Sequence, residues 1–219
     1  MEFRLEGNPD YGQLTVEFTP GDAFIAEGGA MSWMSDGMEM SSRLLGGLLK
    51  AGIRKLVGGE SLFVGEYEHP GGGSASFSPA VPGTVLQRTL NGDSLTLTAG
   101  SFLGCTPGIE LSTRFGGLRA FFSREGPFFV ECSGYGEVFF NSFGAVVEKR
   151  IKGTFTVDTG HVVAWEKGLS YSIGGMRSLK STLFSGEGLV MNFAGSGRIY
   201  LQTRTMKSLS GWLASFCRR

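Results

Sequence analysis

Charge of one sign is the first thing missing from this chain. Lys and Arg together number 20, and so do Asp and Glu, which leaves a formal net charge of zero. Such a chain has no global field to draw in nucleic acid. It also carries no basic–aromatic RNA-binding motif, so no nucleic-acid partner is expected. Cysteine is scarce: Cys105, Cys132 and Cys217 are an odd number and form no CxxC pair. That argues against a disulfide framework or a zinc knuckle and suits a reducing cytoplasm. No apolar run approaches the roughly 18 residues of a membrane-spanning helix. The opening MEFRLEGNPDYGQ has no apolar stretch of the signal-peptide kind, so a cytoplasmic protein is expected.

Catalytic signals are missing as well. The two histidines, His69 and His161, stand at unrelated places in the sequence pattern. Glu66, Glu68 and Glu166 could each add a carboxylate ligand, but no spacing brings the histidines together as a metal site requires. No GxSxG elbow and no SxxK occurs. The glycine-rich GYGEVFF and GSGRIYL stand between two strand-like runs, whereas a dinucleotide fingerprint must open a helix. Cys105 and Cys132 lie inside apolar strand-like runs and read as small core residues. Glu60, Glu125 and Glu187 recur just before a strand, which suits turn hydrogen bonds repeated by symmetry better than a catalytic pair. No cofactor, no metal and no enzymatic activity are expected.

What is abundant is glycine, at 36 residues, and phenylalanine, at 18 against 5 Tyr and 3 Trp. The glycines imply many turns and close backbone approaches, and the phenylalanines a core of large rings. Glycine also punctuates a repeat. GDAFIAEGGAMS from Gly21, GSFLGCTPGIEL from Gly100 and GHVVAWEKGLSY from Gly160 share one shape. Upstream of each, apolar and polar residues alternate: Val16 and Phe18 around Glu17, Leu95 and Leu97 around Thr96, Phe155 and Val157 around Thr156. This is the pattern of a strand with one buried face. A second glycine follows eight residues on, at Gly29, Gly108 and Gly168. Further along, each copy reads as strand, glycine-rich turn (at Pro70, Gly134 and Gly195) and strand, and Asn91-Gly92 suggests a further hairpin. The spacing therefore predicts an all-β protein, one domain over 1–219, built of three tandem repeats at about 1–84, 85–145 and 146–219. Half-buried sheets must pack on one another, so small sandwich-like copies closed into a pseudo-threefold body are expected in preference to a solenoid, which needs capping repeats.

Two stretches read as helices. In SSRLLGGLLKAGIRKLVGG, Leu45, Leu48, Leu49, Ile53 and Leu56 share one face at helical spacing, with Arg43, Lys50 and Arg54 opposite. Gly46, Gly47 and Gly52 weaken that helix by about 1 kcal/mol each relative to Ala. In KSLSGWLASFCRR, Leu209, Trp212, Leu213 and Phe216 fall at i, i+3, i+4 and i+7, flanked by Lys207, Arg218 and Arg219. The first segment fits cover for its own sheet, a partner-binding helix or a membrane-surface helix, and the second fits docking on its own sheet, contact between subunits or a membrane surface.

The motifs PGDAFIAEGGAM, GGESLF, AGSFLG, DTGHVVAWE and GEGLVMNFAGSGRIYLQTR, in this order, also carry a resemblance. From about Leu14 to Arg204 the chain resembles the bacterial and archaeal relatives of the mitochondrial biogenesis factor named for altered inheritance of mitochondria. The resemblance implies an all-β fold like that of the tryptophan RNA-binding attenuation protein, with repeats about a pseudo-threefold axis. It implies no established enzymatic activity and no catalytic residue, and it links the mitochondrial member to inner-membrane organisation. RNA binding does not transfer with the fold. The expected function is thus a non-enzymatic, self-assembling binding or scaffold protein, cytoplasmic or peripheral to the inner membrane, with a homo-oligomer, a protein or a membrane surface as partner. The alternative is a small-ligand-binding protein or an enzyme with its site between repeats, and a remote one is RNA binding by analogy of fold alone.

Overall fold

The computed structural model describes residues 1–45, 63–115, 128–174 and 189–217. The first part of the chain supplies β1 (Glu2–Glu6), β2 (Gln13–Phe18), β3 (Ala23–Glu27), β4 (Met31–Met34), β5 (Glu39–Leu44), β6 (Phe63–Glu68) and β7 (Gly73–Phe77). The middle supplies β8 (Val85–Thr98), β9 (Phe102–Cys105), β10 (Ile109–Phe115) and β11 (Phe128–Asn141). The last part supplies β12 (Val146–Asp158), β13 (Val162–Glu166), β14 (Leu169–Gly174) and β15 (Val190–Gln202), followed by one helix, α1 (Met206–Cys217). The fold is predominantly β, as the alternation predicts. Every named pairing is antiparallel.

A four-stranded sheet runs in the order β1-β2-β7-β4. A larger sheet follows the order β12-β15-β13-β8-β11-β9-β3-β6-β5, with β10 added on β11 and β14 on β15. The three glycine-led stretches become β3, β9 and β13, and their near-continuous apolar runs have a physical reason. In β3, Phe24 and Ala26 pack in the core between the two sheets, while Ile25 faces the central core. In β9, Leu103 and Phe102 divide in the same way, and in β13 Val163 and Trp165 face two different cores. A strand with both faces covered reads as an apolar run instead of an alternation. The phenylalanines fill these cores as edge-to-face and tilted pairs, for example Phe24 and Phe139 with centroids 5.8 Å apart and Phe129 and Trp165 at 5.1 Å.

The expected hairpins in the second and third copies are corrected by the structure. The stretches flanking Asn91-Gly92 belong to one strand, β8, and those flanking Gly134 and Gly195 to single strands β11 and β15. Each long strand pairs along its length with another: β8 with β11, and β12 with β15. The glycines take left-handed φ inside these ladders (+87° at Gly92, +113° at Gly134, +102° at Gly153, +127° at Gly195), and Gly153 stands opposite Gly195. A turn signal makes a hairpin only when its own two flanks pair. Here a continuous partner strand competes for both flanks, so the glycines serve as bends and bulges within the ladder. In the first copy the Pro70 turn does reverse the chain, but it carries β6 in one sheet to β7 in the other, so the two are not a paired hairpin.

The second and third copies share one series: long strand, 3-10 turn, short strand, strand, long strand. They also share contacts. Asn141 donates to the Gly100 carbonyl as Gln202 does to that of Gly160. Gly108 accepts from Tyr135 N as Gly168 does from Ser196 N. The first copy departs from this series, with β4 inserted and its long strands divided between the two sheets. Among the described residues the strand order is open, ending on β12 and β5.

Candidate functional site

Two places on the described surface stand out, an exposed apolar helix face and a charged seam between strands. The first is α1. Its N-terminus is made by Thr205, which is buried and whose Oγ1 accepts from Ser208 N at 3.1 Å, while Thr205 O accepts from Leu209 N. This is a side-chain N-cap. No residue of the helix is buried. Trp212, Leu213 and Phe216 are 62%, 46% and 70% exposed, and Leu209 is half-buried. The Trp212 and Phe216 rings touch each other edge-on at 5.0 Å. The expected apolar face therefore exists, and among the described residues nothing buries its Trp212, Leu213 or Phe216.

Of the amphipathic stretch in the first copy, only the first residues, to Leu45, are described. Arg43 and Leu44 belong to strand β5, with Arg43 opposite Val64, so no helix begins at Arg43. Leu45, expected on an interaction surface, is 7% exposed and packs with Ile25 and Val64 in the central core. Its side chain completes the sheet that β5 extends, and this overrides helical periodicity. Leu49, Lys50, Ile53 and Arg54 lie outside the described residues, as do Glu60, Glu125 and Glu187.

The second place is a charged seam where β13 meets β8 and β15. Glu166 closes β13. Its Oε1 lies 3.3 Å from Arg88 Nη2 of β8 and 3.4 Å from Arg198 Nε of β15, and its Oε2 accepts from Arg198 N at 2.9 Å. Arg88 also reaches Asp93 at 3.5 Å, and Arg198 reaches Glu148 of β12 at 3.3 Å. Beside this network a hollow of about 290 Å³ opens, lined by Arg150, Ile151, Lys152, Glu166, Ser196, Gly197 and Arg198. Tyr200 stands opposite Glu148 in the ladder, and burial, with Glu148 adding, holds its hydroxyl above the usual tyrosine range. Sequence reading considered Glu166 only as a metal ligand and passed over Arg88, Arg150, Lys152 and Arg198. Arg88 and Glu166 stand 78 residues apart, so no local pattern links them. The one local signal was the same-face spacing of Glu148, Arg150 and Lys152 on a strand.

The remaining chemistry-bearing residues are structural in their surroundings. His69 Nε2 lies 2.9 Å from the Asp36 carbonyl, and its Nδ1 accepts from Gly71 N. That pins the tip before β5 to the corner between β6 and β7. His161 Nδ1 lies 2.6 Å from the Gln202 carbonyl. Cys105 and Cys132 are fully buried, and burial pushes the Cys132 thiol well up, so it stays protonated at neutral pH. No group of three His, Cys, Asp or Glu among the described residues could hold a metal. Among them, too, no helix is long and apolar enough to cross a membrane.

Against this geometry the comparisons fall into place. The profile of the family described as "Mitochondrial biogenesis AIM24" matches residues 3–204. An uncharacterised protein of Streptococcus pyogenes serotype M6 is 27% identical over 225 residues, covering 99% of this chain and 91% of its own. The X-ray structure of another S. pyogenes protein superposes with a TM-score of 0.82 at 25% identity, covering 98% of this chain and 99% of that one. The family match ends before α1 begins.

Proposed function

Since the chain belongs to the mitochondrial biogenesis AIM24 family, and its streptococcal relative is itself named as uncharacterised, we propose that it acts by binding rather than by chemistry, as a scaffold that assembles with further copies of itself through α1. The observation that supports this is the naked apolar face of that helix. A helix of 12 residues is marginal in water on its own. Three large apolar side chains held in solvent, two of them aromatic and already in edge-on contact, have the composition of an interface core. Two such helices laid side by side would cover each other's faces without changing the β body. The three-repeat, pseudo-threefold reading of that body, as one domain, is part of the same proposal. It is supported by the contacts that the second and third copies share.

Light scattering coupled to size exclusion tests the assembly. The intact chain is expected to run as a discrete oligomer, and Trp212→Ala/Phe216→Ala as a smaller species with an unchanged β circular-dichroism spectrum. A compact monomer for both would overturn it. One observation favours a second reading, docking on an anionic membrane surface: the sequence over 205–219 contains Lys207, Arg218 and Arg219 and no Asp or Glu. Flotation of the same two proteins with vesicles containing phosphatidylglycerol separates the readings, since only a membrane-docking helix carries intact protein up with the lipid. A small-ligand role with a site between repeats, the remaining alternative, draws on the seam around Glu166.

A further inference from the structure

We propose that the hollow between β12, β15 and the end of β13 is a binding site for a phosphate group, held chiefly by Arg150 and Lys152. The case begins with register. In the β12–β15 ladder Arg150 stands directly opposite Arg198 and Lys152 opposite Ser196. Directly opposed residues share a face of the sheet, so three cationic side chains are brought to one spot. Like charges placed so oppose folding unless something offsets them. Chain composition does not account for the excess, because the chain as a whole is neutral.

The carboxylates nearby are already engaged. Arg198 takes Glu148 and Glu166. Glu166 is shared further with Arg88 and with the Arg198 backbone N–H. Arg88 Nε is buried with no hydrogen-bond partner among the described residues. Neither Arg150 nor Lys152 forms an ion pair with any carboxylate among the described residues. Both are exposed and close to the opening. Two unmatched positive charges correspond to the roughly −1.5 to −2 of a phosphate monoester at neutral pH. Arg supplies a planar fork and Lys a point charge, a complementary pair for tetrahedral oxygens. Gly197 also lines the hollow, and a Cβ there would press on Leu169. At about 290 Å³ the hollow has room for a phosphate and a small body attached to it. Glu166 and Glu148 then act as positioning residues, holding Arg198 still at the rim.

This site is independent of α1, so its test separates from that of assembly. Titration of the full-length protein with inorganic phosphate at low salt, followed by calorimetry or by amide shifts, should show saturable binding at one site per chain. The exposed double variant Arg150→Gln/Lys152→Gln should keep its fold and bind phosphate at least about tenfold more weakly, since two charge-assisted contacts are lost. Vesicles containing phosphatidic acid identify the source. Intact protein retained by vesicles and released by the double variant, with little affinity for the soluble ion, assigns the phosphate to a lipid headgroup, and tight binding of the soluble ion assigns it to a free solute. No saturable binding of either probe, or binding that survives the double variant unchanged, overturns the proposal.

Discussion

Glycine carries much of this protein's meaning, and residue by residue its role differs. At Gly168 a Cβ would land against the Ser196 carbonyl oxygen, a backbone atom that cannot swing away, while Ser196 N donates to Gly168 O at 3.2 Å. Gly108 meets Tyr135 in the same manner. At Gly211, on α1, an added Cβ meets nothing, and the backbone is helical. The same substitution therefore has opposite signs. Gly168→Ala should destabilise the fold by more than about 2 kcal/mol in urea denaturation, as forced backbone shifts do. Gly211→Ala should stabilise α1 by about 1 kcal/mol, seen as slower amide exchange within the helix. Composition counts all 36 glycines alike; only the contacts separate a close approach from an open helix position.

Among the elements, the seam at β13 decides how the second and third copies are joined. Backbone pairing alone is short there, since β13 meets β8 only from Ala164 to Glu166. The side-chain network through Glu166 extends that junction to Arg88 on one copy and Arg198 on the other. Glu166 is partly buried and pairs with two guanidinium groups, whereas Glu148 is nearly half exposed and, among the described residues, forms an ion pair with Arg198 alone. Glu166→Gln is accordingly expected to lower Tm by a few degrees and Glu148→Gln by clearly less, measured by calorimetry at low salt. Exposed single pairs are weak, and a shared acceptor between two guanidinium groups is not. An equal loss for both would show that the network does not join the copies. The strand ladders themselves were legible in part: alternation marked β2, the second half of β8 and the second half of β12. The hairpins were not, because whether a glycine closes a turn or bends a strand depends on which partner strand arrives.

At the scale of the whole molecule, the chain is a β body with a helix attached to it but not packed into it. If α1 is covered only by another copy, folding and assembly are linked by mass action, and Tm should rise with protein concentration in the intact chain. A chain ending at Thr205 should melt at a temperature independent of concentration; concentration independence in both would separate the helix from assembly. The amphipathic face of α1 was readable at once, because four apolar residues at helical spacing need only their own backbone to line up. That Trp212, Leu213 and Phe216 stay largely exposed among the described residues was not readable, since burial is a property of the neighbours.

The sequence by itself determined the β class, the positions of the three apolar, glycine-led strands, the aromatic core and the face of the last helix. All of these follow from local period and side-chain volume. Only the tertiary structure decided that Leu45 belongs to the core, that the glycine turns of the second and third copies are bends in long strands, and that Arg150, Lys152 and Arg198 converge beside Glu166. Each of these depends on pairing between segments far apart in the chain. Register across a ladder is set by the competition among all available strands, and no short stretch contains that information.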